Sequence, residues 1–325
     1  MANFAHKDKD ELSEGRHQLG FGESQATTVR RRIAMRLDYW KKGFVAVALA
    51  AIPLGSAVAQ SGSPVLERIA EDGVINIGHR ESSVPFAYIG DDGEPVGFSI
   101  DLCMNIVDSV EEAIGEEVEI NWVAVNPQTR IPLMANGTID LECGSTTNKL
   151  SRQEQVDYAY TTYITGTKIL TKDDSGIGGV EDLAGKAIAL AQGTTNEKAV
   201  QQAIEERGIE DVSIQYVRDH SEGFLALETD RVDAYSTDDV LLYGLIEKAR
   251  NPEDYEVVGE FLSYDPYALM VPKDDSDYRL LVNRTLVDLF RSGEFHEIYD
   301  EWFEPLGIPM SSMLETAVEI QTYPE

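Results

Sequence analysis

Strand-like and helix-like segments alternate in two separate runs along this chain, and that order constrains its fold more tightly than any single motif. In the first run, VINIGHRE (74–81) alternates apolar positions and IDLCMNIVDSVEEAIG (100–115) spaces them three and four residues apart. VEINWVAV, TRIPLMANG and TIDLECGS continue as strand, helix and strand. The second run opens with a strand over Lys186–Ala191, turns at Gln192-Gly193 into a helix, and continues through VSIQYV, SEGFLALETDR, VDAYSTD and VLLYGLIEKAR. No sequence repeat links the runs; only the order of elements recurs. Such alternation predicts an α/β fold of mainly parallel sheets flanked by helices, with loops gathered at the carboxyl ends of the strands.

TTYITGTKILTKDD lies between the runs and GEFLSYDPYALMVPKDD follows the second. Both read as extended strands, the pattern of a chain that crosses to a second domain and returns. A length of 325 residues accommodates two cores of about 100 residues each. The expected division is a discontinuous domain one, 64–166 plus 266–325, and a domain two over 167–265. The helical YRLLVNRTLVDLFRSGEFHEIYDEWFEP then packs on domain one. A two-stranded connection permits hinge closure over a cleft. Upstream, VLERIAEDG predicts an amphipathic helix closed by Gly73, and FAYIGDDGEPVGFSI a hairpin around Asp91-Asp92-Gly93.

Met35 to Ala59 has basic residues, an apolar run and Ala57-Val58-Ala59 before Gln60, the build of a cleavable export signal. A membrane anchor is the alternative, but the apolar run of about 17 residues is short of the roughly 20 needed to span, and it holds Pro53 and Gly55. No Cys follows it, which argues against a lipid anchor. Residues 1–34 read as an over-extended, unstructured start, and TVRRRIAMR lacks the flanking pattern of a twin-arginine signal. The whole chain carries 27 basic and 58 acidic side chains, a formal charge of −31. Without its first 59 residues it keeps 18 and 52, a charge of −34. So acidic a surface disfavours nucleic acid and anionic membrane faces, and its self-repulsion is relieved by salt. The two cysteines, Cys103 in a helix-like run and Cys143 ending a strand-like one, fit either a disulfide or burial as small hydrophobes.

Cations are scarce, and three stand in contexts marked by Gly and Ser: Arg80 in GHRESSVPF, Arg130 in QTRIPL and Arg152 in ECGSTTNKLSR. Arg80 directly follows a strand, where such sheets bind ligands; a surface salt bridge is the plainer use of an isolated Arg. Arg130 opens a helix, against the local dipole. Ser145 and Thr147 offer hydroxyls, or serve as ordinary helix caps, and Arg152 can grip a carboxylate through two parallel hydrogen bonds. In QGTTNE, Thr194 and Glu197 form a T-x-x-E capping box, leaving Thr195 and the amides of the helix start for an anion. His220 follows a strand and takes its charge from its neighbours. Of Asp238 and Asp239, Asp239 is assigned to the cap of the next helix and Asp238 to a ligand ammonium. A carboxylate would be repelled by this chain unless Arg met it locally, so the set points to a receptor for a small dianionic amino acid. No G-x-S-x-G, H-E-x-x-H, P-loop or zinc spacing is present.

With these residues in view, the chain resembles the periplasmic glutamate/aspartate-binding proteins of ABC transporters, solute-binding protein family 3, over about residues 64–305. The motifs that carry the resemblance are GHRESSVPF, RIPL, NGTIDLECGSTTN, GTTNE, KAR-NP and the closing EWF. It implies a two-domain, type II periplasmic-binding-protein fold joined by two crossing strands. It also implies a periplasmic monomer that binds L-glutamate or L-aspartate in the cleft and delivers it to the transmembrane subunits of an ABC permease, with no catalysis, cofactor or metal. Arg152, with Thr147 and Thr195, is then expected to clamp the α-carboxylate, and Asp238 with Ser145 to accept the α-ammonium. Arg80, Arg130 and a charged His220 are expected around the side-chain carboxylate. Pro127 departs from the Ser that relatives place three residues before the Arg of RIPL, which bears on selection among aspartate, glutamate and their amides. Ala268-Leu269-Met270 stands where relatives carry a Cys, so Cys143 is expected to lack its usual partner. The alternatives are an exported cyclohexadienyl- or arogenate-dehydratase-like enzyme, a glutamine-, asparagine- or broad-specificity binding protein, and a sensor module acting through a partner.

Overall fold

The computed structural model describes residues 62–324; the expected export signal and the segment ahead of it lie outside the described residues. Ser63 caps α1 (Pro64–Asp72) by accepting from the Leu66 amide at 3.1 Å, and its hydroxyl donates to Asp275 at 2.7 Å. Then come β1 (Val74–His79) and a small antiparallel sheet of β2 (Ser82–Ser83), β3 (Ala87–Ile89) and β4 (Pro95–Val96). The first alternating run continues as α2 (Phe98–Ile114), β5 (Glu119–Ala124), α3 (Arg130–Ala135), β6 (Leu141–Cys143) and the single turn α4 (Leu150–Gln153). Strand β7 (Asp157–Thr165) is separated from β8 (Thr167–Lys172) by Gly166 alone. The second run is β9 (Ala187–Ala191), α5 (Thr195–Glu206), β10 (Ser213–Val217), α6 (His220–Glu228), β11 (Ala234–Asp238) and α7 (Asp239–Glu247), followed by β12 (Tyr255–Val258). The chain closes with β13 (Asp265–Val271), α8 (Ser276–Ser292), α9 (Glu294–Phe303) and α10 (Ser312–Gln321).

Two five-stranded sheets result, ordered β5-β1-β6-β13-β7 and β10-β9-β11-β8-β12. The sheets are more mixed than the alternation alone suggests. In each, three strands pair in parallel (β5-β1-β6 and β10-β9-β11), but the other two pairings are antiparallel. The antiparallel strands are those nearest the crossings: β7 runs into β8 almost without a break, and β13 comes back beside β7 with Asp265 opposite Thr165.

Both faces of each sheet are covered. The stripe Leu102, Cys103, Ile106, Val107 and Val110 of α2 faces the first sheet, with Phe98 at its start. Phe86 lies edge-on to Phe98, Tyr163, Tyr267 and Phe303, with ring centroids 4.9 to 6.1 Å apart. Such contacts contribute about 0.5–1.5 kcal/mol each beyond area burial. They also fix α9 against β7 and β13. Trp302 Nε1 donates to Asp101 at 2.7 Å, and the Gln321 side chain pairs with the Thr161 backbone amide and carbonyl at 2.8 and 3.0 Å. The C-terminal helices are thus built into the first sheet's layer. The second sheet is held between two clusters, one around Leu170, Tyr235 and Leu242 and the other around Leu183, Leu190 and Val200.

Cys103 and Cys143 are joined by a disulfide, which settles the two readings open for them: Cys143 lacks the return-strand partner of its relatives and pairs with Cys103 instead. The reason is geometric: the buried stripe of α2 lies over the end of β6 and brings the two Cα atoms to 6.2 Å. The bridge closes a separation of 40 residues, which in the chain-entropy model removes about 4 kcal/mol of denatured-state freedom. Replacing both residues, Cys103→Ala with Cys143→Ala, is expected to lower the unfolding free energy by about 2–4 kcal/mol in denaturant titrations. A loss below about 0.5 kcal/mol would contradict this.

Candidate ligand-binding site

Strands β1, β5 and β6 of one sheet and β9, β10 and β11 of the other end at a shared pocket. Parallel strands point their carboxyl ends the same way, so six loops meet there. Arg80, Arg130, Ser145 and Thr147 line it from the first sheet. Thr194, Thr195, Asn196, His220, Asp238 and Leu241 line it from the second. Seven of the eight expected site residues are therefore brought together; Arg152 is not on the lining.

Arg80 and Arg130 are 1% and 3% exposed, and neither forms an ion pair with a described carboxylate. Arg130 Nη1 donates to Thr146 Oγ1 at 2.7 Å and the Ser145 carbonyl at 3.2 Å, and Thr146 passes the contact on to Glu142 Oε2 at 2.7 Å. Among the described residues, Arg80 Nη2, Arg130 Nε and Ser145 Oγ are buried without a hydrogen-bond partner. Burial, then the nearby Arg130, push the Arg80 guanidinium down to about 10, with Glu142 acting in the opposite direction. It remains a cation at neutral pH. His220 is packed with its Nδ1 2.7 Å from the Tyr235 hydroxyl. Burial, and the Arg80 and Arg130 charges, hold the imidazole well below its usual range, so it is neutral in this state. That corrects the expected imidazolium: two neighbouring guanidiniums oppose a third positive charge.

Asp238 supplies the negative side. It accepts from Asn196 Nδ2 at 2.8 Å and from the Tyr267 hydroxyl. Burial, then the nearby Asp265, raise its carboxyl to about 8. The cap assignment is corrected: Asp238 occupies the N-cap position of α7 without a capping hydrogen bond, while Asp239 is the first helical residue. Asp239 Oδ1 instead accepts from Thr165 Oγ1 at 2.5 Å and the Val240 amide at 2.8 Å. Thr147 Oγ1 donates to Asp265 at 3.0 Å and lies 3.2 Å from Thr195 Oγ1. Arg152 spans the two sides just outside the pocket, donating to the Thr147 carbonyl at 2.9 Å and the Gly193 carbonyl at 3.1 Å. Burial, then Arg130, push it to about 10. Thr194 caps α5 as expected, accepting from the Glu197 amide at 3.0 Å, but Glu197 reaches back to the Gly193 amide, one residue earlier than a reciprocal box requires.

Several contributors were not assigned from sequence. Asn196 stands in the GTTNE motif, and Glu142 is a carboxylate inside the buried strand Leu141–Cys143, a placement that itself signals a polar role. Tyr235 and Tyr267 lie inside β11 and β13 and carry no local sign of the site.

A polar pocket walled by the strand ends of two like-ordered sheets, with crossing strands at its edge, defines a two-domain, type II binding protein for small solutes. The chain belongs to the bacterial extracellular solute-binding proteins, family 3, whose model matches residues 75–305. It is 38% identical over 286 residues to the L-glutamate/L-aspartate-binding protein of Pseudomonas aeruginosa, covering 84% of this chain and 94% of that one. It is 36% identical over 269 residues to the glutamate/aspartate import solute-binding protein of Escherichia coli, covering 81% and 89%. Among solved structures, an ancestral arginine-binding protein bound to glutamine matches 71% of this chain and 98% of its own, at 28% identity and TM-score 0.63. The cysteine-binding protein of Campylobacter jejuni matches 74% and 93%, at 26% identity and TM-score 0.65.

The Asp238 environment sets a pH dependence. An unfolded Asp loses its proton near 3.9, whereas the folded group holds it to about 8. The folded state therefore binds more protons between these values, and the contribution of Asp238 to stability falls as pH rises from about 4 to about 8. In the ligand-free protein, the melting temperature of Asp238→Asn relative to the parent is expected to climb between pH 5 and pH 8. A flat difference would contradict the buried-carboxyl assignment.

Proposed function

We propose that the pocket binds an acidic L-amino acid, glutamate or aspartate, and that the protein presents it to the transmembrane subunits of an ABC importer. The observation that carries this reading is the pair of buried, unpaired guanidiniums: Arg80 and Arg130 retain donor nitrogens without a partner beside an unpaired Ser145 hydroxyl. A carboxylate placed there gains two charge-assisted contacts and relieves the repulsion between the cations. A neutral amide would leave them unpaired at a cost of several kcal/mol, which is selection by desolvation as much as by attraction.

Arg80, Arg130 and a neutral His220 take the side-chain carboxylate. If the Tyr235 hydroxyl donates to His220 Nδ1, Nε2 carries the proton and serves as a donor. Asp238, with Ser145, accepts the α-ammonium, and the arriving cation favours its ionised form. Thr147, Thr195 and the first-turn amides of α5 take the α-carboxylate. Arg152 acts from behind, fastening the Thr147 and Gly193 backbones across the pocket. The names of the relatives from Pseudomonas aeruginosa and Escherichia coli support the ligand class. The domains are 64–166 with 266–325, and 167–265, and they close on ligand as a hinge. Residues 35–59 direct export to the periplasm, where a monomer without cofactor binds and releases its ligand and catalyses nothing.

Calorimetry on three variants tests the roles. Arg80→Ala and Arg130→Ala are each expected to weaken glutamate at least about tenfold more than glutamine. Arg152→Ala is expected to weaken both alike, because it fastens the cleft and touches neither ligand. Equal losses for the two ligands in Arg80→Ala would remove Arg80 from the side-chain subsite.

A further inference from the structure

Leu241 of α7 lines the pocket, and Gly244, buried, lies one turn further along the same face of the helix. A Cβ placed on Gly244 would stand 2.8 Å from the Val84 carbonyl carbon, nearer still to its oxygen, and 3.0 Å from Val84 Cβ. Those are its three nearest atoms, and all belong to the loop between β2 and β3 beside the first sheet, whereas α7 follows β11 of the second. The next turn continues the seam: Lys248 Nζ sits 5.3 Å from the centroid of the Tyr88 ring in β3. Across the pocket a second seam exists, where Gln128 Nε2 donates to Gln192 Oε1 at 3.1 Å and a Cβ on Gly193 would meet the Pro127 carbonyl oxygen at 3.0 Å.

Gly193 has φ +81°, so its backbone alone favours glycine. Gly244 has no such reason. It lies inside a helix, outside the left-handed region, where alanine is the better residue. The closest approach of Val84 is what a side chain at this position would obstruct.

We infer that Gly244 is a closure residue: lacking a side chain, it lets α7 seat against the Val84 loop over the pocket, and so sets how tightly a ligand it never touches is held. This rests on the reading of the pocket as an amino-acid site that closes by a hinge. A ligand that requires the closed form loses apparent affinity in proportion to the closed fraction, and a methyl group in this seam lowers that fraction. Within the helix itself alanine is the better residue, and the three nearest atoms all belong to Val84, so the methyl group is accommodated once the Val84 loop withdraws.

The test places a reporter on the other seam. Gln128→Cys with Gln192→Cys supplies a pair that a short bis-maleimide links only when the cleft is shut, and the two natural cysteines, held in their disulfide, do not compete. Adding Gly244→Ala is expected to slow cross-linking about tenfold or more and to leave the melting temperature of the ligand-free protein unchanged or raised. Cross-linking at the parental rate would overturn the inference. So would a fall in melting temperature of the ligand-free protein, since Gly244 would then serve the fold and not its closure. Millimolar L-glutamate is expected to speed cross-linking while Gly244 is intact. Absence of that effect would count against the acidic ligand, while the rate difference between the two ligand-free proteins would still decide the role of Gly244.

Discussion

Arg80 and Arg130 repel one another in a pocket from which burial has removed water, and one buried carboxylate, Glu142, reaches them only partly, through Thr146. The environment around them follows from that constraint. His220 is kept neutral first by its burial and then by the two neighbouring cations. Glu142 keeps one oxygen unsatisfied, and donor nitrogens on both arginines also lack partners. On the proposed reading, a carboxylate from outside would complete this cluster.

The opposite wall shows the complementary condition. Asp238 and Asp265 are two buried carboxylates near one another, and burial, then this proximity, raise the Asp238 carboxyl toward neutrality. Hydrogen bonds run from Asp238 through Asn196 and the Thr167 hydroxyl to Ser263 and Asp265, and from Asp265 through Thr147 to Thr195. The path passes the crossing point, since Thr167 opens β8 and Asp265 opens β13. On the proposed reading, an ammonium placed against Asp238 would act on the same hydrogen-bond network that joins the two sheets.

Much of this was legible in the chain. The alternating periodicities placed the elements, because apolar spacing reports which face is buried, and the loops after VINIGH, VEINWVA, ALA and SIQYV were recognisable as site loops because parallel strands present them together. The ordinary turn and cap signals at Thr194 and Gly73 also held. The failures have physical causes. Whether Cys103 and Cys143 pair stayed open in the sequence, because it depends on α2 lying across β6, a tertiary contact that spacing does not encode. The charge of His220 depended on its burial, and then on how close two distant arginines come after folding. Asp239 was preferred for the helix cap because adjacent aspartates look alike in sequence, whereas Thr165, 74 residues away, claims its side chain. Arg152 was a clamp by motif, and the backbone carbonyls of Thr147 and Gly193 that two of its nitrogens meet could not be read from spacing.

The central claim is that the pocket is electrostatically complete only with a second ligand carboxylate. The most direct measurement is calorimetric titration of the unmodified protein with L-glutamate and L-glutamine at pH 7. Saturable binding of glutamate at least about tenfold tighter than glutamine is expected. Equal affinity, tighter glutamine, or no heat from either glutamate or aspartate would contradict it.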